Sequence, residues 1–290
     1  MSNKSKINRK LYENVYTPES QIRHPLKLLK SMIFDLKASR ELAWRLFVRN
    51  ISALYRQTAL GYFWAFLPPI VITLTFVFLN KQKIFSVGET TVPYPVYVMI
   101  GTLLWQVFVD ALNCPLRLVT SSKAMLTKIN FPREALIIAG IYEVIFNFLI
   151  RLILLVLVMF LFKIAVPLTI FFVPLGILAL IFLGLMFGIL LTPLGMLYQD
   201  ISKGIVMITS MWFFITPVVY PPPTSGPAAL LSTINPVSAI LVTTRDWITG
   251  SAATLLNQFY IVSVITIAMI IFAWLLYRIA MPHIIARIGA

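Results

Sequence analysis

The sequence predicts an all-α membrane protein, and three observations carry that prediction. Of 290 residues, 59% are hydrophobic and 12% charged, whereas soluble domains run at about 45–50% and about 25%. Several apolar runs exceed the ~20 residues that a helix needs to cross the hydrocarbon core. The basic residues behind the formal charge of +14 gather in the ends and connections rather than in those runs, which is where membrane topology puts them. The charge therefore speaks for a membrane and not for nucleic acid. Cys114 is the one cysteine, which excludes an internal disulfide framework and a multi-cysteine metal site. Residues 1–25 are polar and basic, lack the apolar core of a signal peptide, and read as a cytoplasmic tail.

An amphipathic region follows over 26–54, read as two helical stretches at about 25–37 and 40–54. Leu29, Ile33 and Leu36 recur on one face, Trp44 and Phe47 continue the stripe, and Lys27, Lys30, Lys37, Arg40, Arg45 and Arg49 supply charge. The pattern is that of a helix lying in the membrane interface, with a solvated basic linker as the alternative. Residues 55–290 form the transmembrane domain, with six spans expected at about 59–80, 94–117, 138–162, 168–193, 201–220 and 255–280. Pro68-Pro69 and Gly184 fall inside spans, where membrane helices tolerate them. With both termini inside, Lys and Arg divide nineteen inside to four outside, with Arg151 within a span. This split predicts cytoplasmic termini in an inner, plasma membrane.

Two connections carry further signals. The inside loop 118–137 contains a short helix from Lys123 to Asn130, with Ser121-Ser122 as its cap and Pro132 beyond its end. The outside segment 216–254 is proline-rich yet too apolar for a solvated loop. It reads as two short helices, near 228–234 and 238–249, that re-enter the outer leaflet over 221–254.

Asp110, Glu143 and Arg151 fall within spans two and three. A central Arg costs about 2.5–3.5 kcal/mol on insertion scales, so a partner is expected. Asp110 is about 10 Å deep and Arg151 about 18 Å deep at 1.5 Å per residue, and the long Arg side chain reaches toward Asp110. The pair reads either as a lock between two helices or as a polar lining on a transport path. Asp110 and Glu143 would also make a carboxylate pair for glycosidic chemistry, although nothing else in the chain supports it.

No G-x-x-x-x-G-K-[ST], H-E-x-x-H or G-x-S-x-G occurs, so the chain cannot cradle ATP phosphates by the first of these motifs and an enzyme is not expected. Aromatics crowd the first span (Tyr62, Phe63, Trp64, Phe66, Phe76, Phe78) and the fifth (Trp212, Phe213, Phe214, Tyr220). They fit either an interfacial belt and helix packing or flat faces for the apolar sides of sugar rings. On the cytoplasmic loop, Ala124, Met125, Leu126 and Ile129 form a small apolar face rimmed by Lys123, Lys128 and Arg133. That combination suits a docking contact as well as a loop held near anionic lipid.

An ordered set of motifs carries a resemblance. It runs from the basic amphipathic stretch to Tyr55-Arg56-Gln57 with Leu60-Gly61-Tyr62-Phe63-Trp64. The 118–137 loop and Tyr198-Gln199-Asp200-Ile201 follow, then Thr216-Pro217-Val218-Val219-Tyr220-Pro221, Asn235-Pro236 and Thr244-Arg245-Asp246. Over about 26–280 the chain resembles the permease subunit of bacterial polysaccharide ABC exporters, which export O-antigen, capsule and teichoic acid chains. The resemblance implies a homodimer enclosing a channel for a lipid-linked polysaccharide, surrounded by membrane lipids. Two copies of a separate ATPase subunit would bind the ATP and Mg, and this chain would hold no cofactor. It implies docking of the ATPase on 26–50 and 122–131, where Arg40, Arg45, Met125, Lys128 and Arg133 stand. It also implies that aromatics of spans one and five face the sugar chain, here Trp64, Phe76, Trp212, Phe213 and Tyr220. A permease for drugs or lipids keeps the same topology, and an intramembrane glycosyl- or acyltransferase is the third class.

Overall fold

The computed structural model describes residues 25–56, 61–84, 87–129 and 131–289, the side chains of 25–31, 55, 56 and 289 excepted. The expected tail, the side chains of Lys27, Leu29, Lys30, Tyr55 and Arg56, and residues Gln57, Leu60 and Asn130 lie outside that description. All regular structure among the described residues is helical.

Among the described residues ten α-helices follow in order: α1 Pro25–Arg56, α2 Leu67–Lys81, α3 Tyr94–Ser121, α4 Lys123–Lys128, α5 Glu134–Leu161, α6 Val173–Leu197, α7 Asp200–Ile215, α8 Gly226–Ile234, α9 Pro236–Thr249 and α10 Leu256–Gly289. Among the described residues, four segments are long and apolar enough to cross a membrane: Tyr94–Ser121, Glu134–Leu161, Leu168–Leu197 and Leu256–Ile288. The α8–α9 pair, bent by 90°, passes the same test as a unit. The expected first and fifth spans are shorter than the sequence suggested. With 15 and 16 residues, α2 and α7 extend about 22 and 24 Å, against a ~30 Å core. Before α2 the chain makes a 3₁₀ turn at Gly61–Ala65, and Pro68-Pro69 sit at the start of the helix, where prolines belong. At the far end of α7, Pro217 disfavours helix at Thr216, which is extended, so the helix stops before 220.

A second correction concerns α1, which is one helix of 32 residues and not two. No Gly or Pro separates 37 from 40, and Ser39 satisfies its hydroxyl by donating to the Asp35 carbonyl at 2.6 Å. Its buried stripe is Met32, Asp35, Ser39, Ala43, Leu46, Phe47 and Ile51, whereas Ile33, Leu36 and Trp44 are exposed. The stripe packs against α5, with Phe47 edge-on to Tyr142 and Phe146 at 6.0 and 5.8 Å. Thus α1 shows one apolar face to α5 and a second, with Ile33, Phe34, Trp44 and Val48, outward.

The core centres on α3, buried along most of its length, and α6 lies tightly against it. Side chains added at Gly184 or Gly188 would strike the α3 backbone at Phe108 or Leu112. Small residues that let helices approach closely are how membrane helices gain packing, since lipid offers no hydrophobic drive between them. By contrast α5 and α10 leave long apolar rows uncovered, among them Ile153, Val156, Leu157 and Phe160 on α5 and Ile261, Val264 and Ile265 on α10.

Candidate functional site

Four layers of polar and aromatic side chains hold the bundle. At one end, here called the basic end, Arg278 of α10 donates to Glu134 of α5 at 2.7 Å and to Asp35 of α1 at 2.6 Å. Asp35 and Glu134 are buried, and a guanidinium's fork suits two carboxylates at once. Further along α1, Asn50 donates to Glu143 at 2.9 Å, and Arg117 of α3 donates to the other Glu143 oxygen at 2.6 Å. Glu143 is thus engaged by α1 and α3, and Asp110 by the layer above.

In that layer Arg151 Nη1 donates to Asp110 Oδ2 at 2.6 Å, and Arg151 Nε donates to the Ala65 carbonyl at 3.4 Å. The pairing expected from depth and charge is present. It joins α3 to α5 and reaches the 3₁₀ turn ahead of α2 as well.

At the opposite, proline-rich end the structure gathers most of the expected aromatics. Phe213 is buried, 6.2 Å from Phe76 and 5.8 Å from Trp105. Trp212 lies edge-on to Phe108 at 5.4 Å and to Phe187 at 5.7 Å, and its Nε1 donates to Asn235 Oδ1 at 2.9 Å. Tyr220 turns back, donating its hydroxyl to the Phe214 carbonyl at 2.8 Å. In this conformation the rings of Trp212 and Phe213 are held in packing. Trp64 stands apart in the 3₁₀ turn and is half exposed, together with Tyr62 and Phe63. Outward from α7 point Met207, Met211 and Phe214.

The residues expected to dock an ATPase lie at the basic end. Arg40 and Arg45 are exposed on α1, Arg45 in a surface pair with Glu41 at 2.6 Å, an arrangement worth about 0.3–0.5 kcal/mol. On α4, Leu126 turns inward and is buried, Met125 is half-buried, and Ala124, Lys128 and Ile129 are exposed. Arg133 precedes α5 and is half-buried. The expected serine cap of α4 does not form. Ser121 Oγ donates to the Leu118 carbonyl, and Ser122 makes no capping bond.

Sequence reasoning missed several residues that matter. Arg117 and Arg278 entered only as inside cations, and Arg245 as an outside one and a member of the Thr244-Arg245-Asp246 motif, yet all three are anchored. Arg245 on α9 is 1% exposed, donates Nη1 to the carbonyls of Pro217 and Val218 at 2.9 and 3.3 Å, and lies 4.0 Å over the Tyr97 ring. A cation on an aromatic face gains up to about 2 kcal/mol when desolvated. Gly101 of α3 is what lets the α7–α8 connection come so close, since a Cβ there would collide with the Val218 carbonyl. Asn235 accepts from Val237 N at 3.1 Å as the cap of α9 and donates to Thr216 Oγ1 at 2.9 Å. Asn followed by Pro236 is a helix-start signature that marked this position in advance.

Two comparisons bear on this arrangement. The O-antigen export system permease protein RfbA of Myxococcus xanthus is 24% identical over 214 residues, which cover 72% of this chain and 81% of that protein. Residues 41–247, from the middle of α1 to the end of α9, match the family described as ABC-2 type transporter. That range takes in the Glu143 and Asp110–Arg151 layers and the Arg245 anchor, and it makes the chain a membrane transport subunit rather than an enzyme. A match over more than half of the chain settles the kinship: this protein belongs to the ABC-2 type transporter family.

Proposed function

We propose that this chain is the membrane subunit of an ATP-driven exporter that carries lipid-linked polysaccharide, O-antigen among the cargo types, across a bacterial inner membrane. The observation that carries the reading is the similarity over 72% of the chain to a permease named for O-antigen export. Two copies of the chain enclose the path, and two copies of a separate ATPase bind ATP and Mg and dock at the basic end. The docking surface is Arg40 and Arg45 on α1 with Met125, Lys128 and Arg133 around α4. Each copy crosses six times, α2 and α7 with their flanking segments completing the two short crossings. Both termini are cytoplasmic, and α8–α9 re-enters from outside.

The physical logic follows from the layers. A polymer needs a continuous path without one tight site, and aromatic faces offer contacts that are weak and repeated. Trp64 is open to such contact in this conformation, together with Tyr62, Phe63 and Phe214. Phe76, Trp212, Phe213 and Tyr220, packed at the proline-rich end in this conformation, join the lining as the path widens. The energy enters through α1, which is tied to α5 and α10 by Asp35–Arg278–Glu134 and to α3 and α5 by Asn50–Glu143–Arg117.

Disrupting the gene tests the reading. Surface polysaccharide should disappear while lipid-linked chains accumulate inside, and the intact gene should restore export. Unchanged surface polysaccharide, with loss of tolerance to a drug or a lipid transport defect, would assign another cargo.

A further inference from the structure

At the basic end, the start of α4 and the ends of α6 and α10 meet around a cavity of about 230 Å³. Its walls are Lys123, Met196, Leu197, Tyr198, Arg287 and Ile288. Lys123 and Arg287 are exposed and take part in no ion pair or hydrogen bond through their side chains among the described residues. Two cations from different helices thus face one small space. Beside it α6 presents exposed Leu194 and Leu197, and Tyr198 is 62% exposed, which is the composition of a membrane–water boundary.

We infer that this cavity holds the headgroup of an anionic phospholipid, with its phosphate between Lys123 and Arg287 and its acyl chains along Leu197 and Leu194. Basic pockets between membrane helices on the cytoplasmic side are suited to anionic headgroups. The volume falls below the about 300–1,000 Å³ of sites that enclose a drug-sized ligand, so it fits a headgroup whose tails lie outside. An acidic side chain of a partner would find the same charge, but the apolar column down α6 would give it nothing to cover. The bound lipid bridges α4 to the last turn of α10 and makes the docking helix sensitive to membrane composition. The inference rests on the membrane placement in the proposed function and not on the identity of the cargo.

The test uses the full-length chain in nanodiscs of phosphatidylcholine with a minor fraction of phosphatidylglycerol, and native mass spectrometry counts the lipids retained. Wild type should keep phosphatidylglycerol preferentially. The double substitution Lys123→Gln with Arg287→Gln should weaken retention about thirtyfold, which is about 2 kcal/mol at 1.4 kcal/mol per tenfold, or about 1 kcal/mol per cation. Lys37→Gln, an exposed cation on α1, should change nothing. If the double variant does not fold, Lys123→Gln alone carries the test, with about a fivefold loss expected. Equal retention in wild type and variant would overturn the site. Displacement of the lipid by inorganic phosphate would make it a free-anion site. Unchanged lipid retention with loss of the co-purified ATPase would assign the cations to an acidic partner side chain. A wild type that binds phosphatidylglycerol but exports no polysaccharide would sink the proposed function and leave the lipid site intact.

Discussion

Single side chains decide most where a charge has no water to turn to. Arg151 and Asp110 are 10% and 23% exposed as side chains, so each depends on the other. Breaking a buried pair by removing one partner costs about 3–5 kcal/mol, whereas replacing both by apolar groups can be nearly neutral. Arg151→Leu should therefore lower the melting temperature in detergent sharply, and adding Asp110→Leu should recover much of the loss. Additive losses in the double-mutant cycle would show that the pair is not coupled. Arg278 is a sterner case, because it serves Asp35 and Glu134 together. Arg278→Lys keeps the charge but not the fork, so it should lose at least half of the stability lost by Arg278→Leu. A lysine variant as stable as wild type would mean that charge alone suffices there. The sequence disclosed the first pair because α3 and α5 are the neighbouring long helices of the chain and lone charges at that depth are costly. It did not disclose the second. The partners of Arg278 stand 243 and 144 residues away, and only the return of α10 beside α1 and α5 brings them within reach.

At the scale of helices, boundaries follow backbone chemistry and contacts follow the smallest side chains. The long apolar helices, α3, α5, α6 and α10, were legible because periodicity and length agree over many residues. The short helices α2 and α7 and the unbroken α1 were not. Apolar residues around Gly61 and Pro217 look continuous in composition, and only the local geometry shows a 3₁₀ turn or an extended residue there. The aromatic site was legible as a list and not as a surface, because the facing of Trp212 and Phe213 depends on α3 and on Asn235. Gly101→Ala should displace the α7–α8 connection from α3, since the Val218 carbonyl occupies the space of the added methyl. A destabilisation of about 1–3 kcal/mol is expected for such overpacking, read by thermal unfolding. Unchanged unfolding would show that the connection is free to give way. On α4, Met125→Asp should reduce co-purification of the ATPase at least tenfold, because it sets a charge in an apolar contact. Wild-type yield with normal export would remove α4 from the docking surface.

At the scale of the whole chain, the charge distribution predicts orientation. Nineteen inside cations against four outside predict that a reporter active only outside the cytoplasm stays silent when fused after α10 and becomes active when inserted between α5 and α6. An active C-terminal fusion would reverse the topology. The membrane scale also explains why hydropathy alone located helices better than it located the core. The apolar rows of α5 and α10 are uncovered, while α3 with its glycine and threonine lies innermost. In lipid, apolar composition marks what faces outward as much as what is packed.

The double attachment of α1 has a mechanical consequence. Asp35 and Asn50 are fifteen positions apart, about 22 Å along a rigid rod at 1.5 Å per residue. A rod pinned at two separated points keeps few degrees of freedom relative to what it is pinned to. Rolling about its own axis would have to open both polar attachments at once, and pivoting about either one would tear the other. Riding together with α5 keeps the Asn50–Glu143 bond, and Asp35 keeps its bond to Arg278 when α10 moves with the pair. Under the proposed docking, a push delivered to α1 by the ATPase would therefore arrive at α5 as displacement rather than being absorbed as bending. The Arg151–Asp110 and Arg117–Glu143 bonds then pass it on to α3 at two heights, so that the stroke tilts the helix pair as one body.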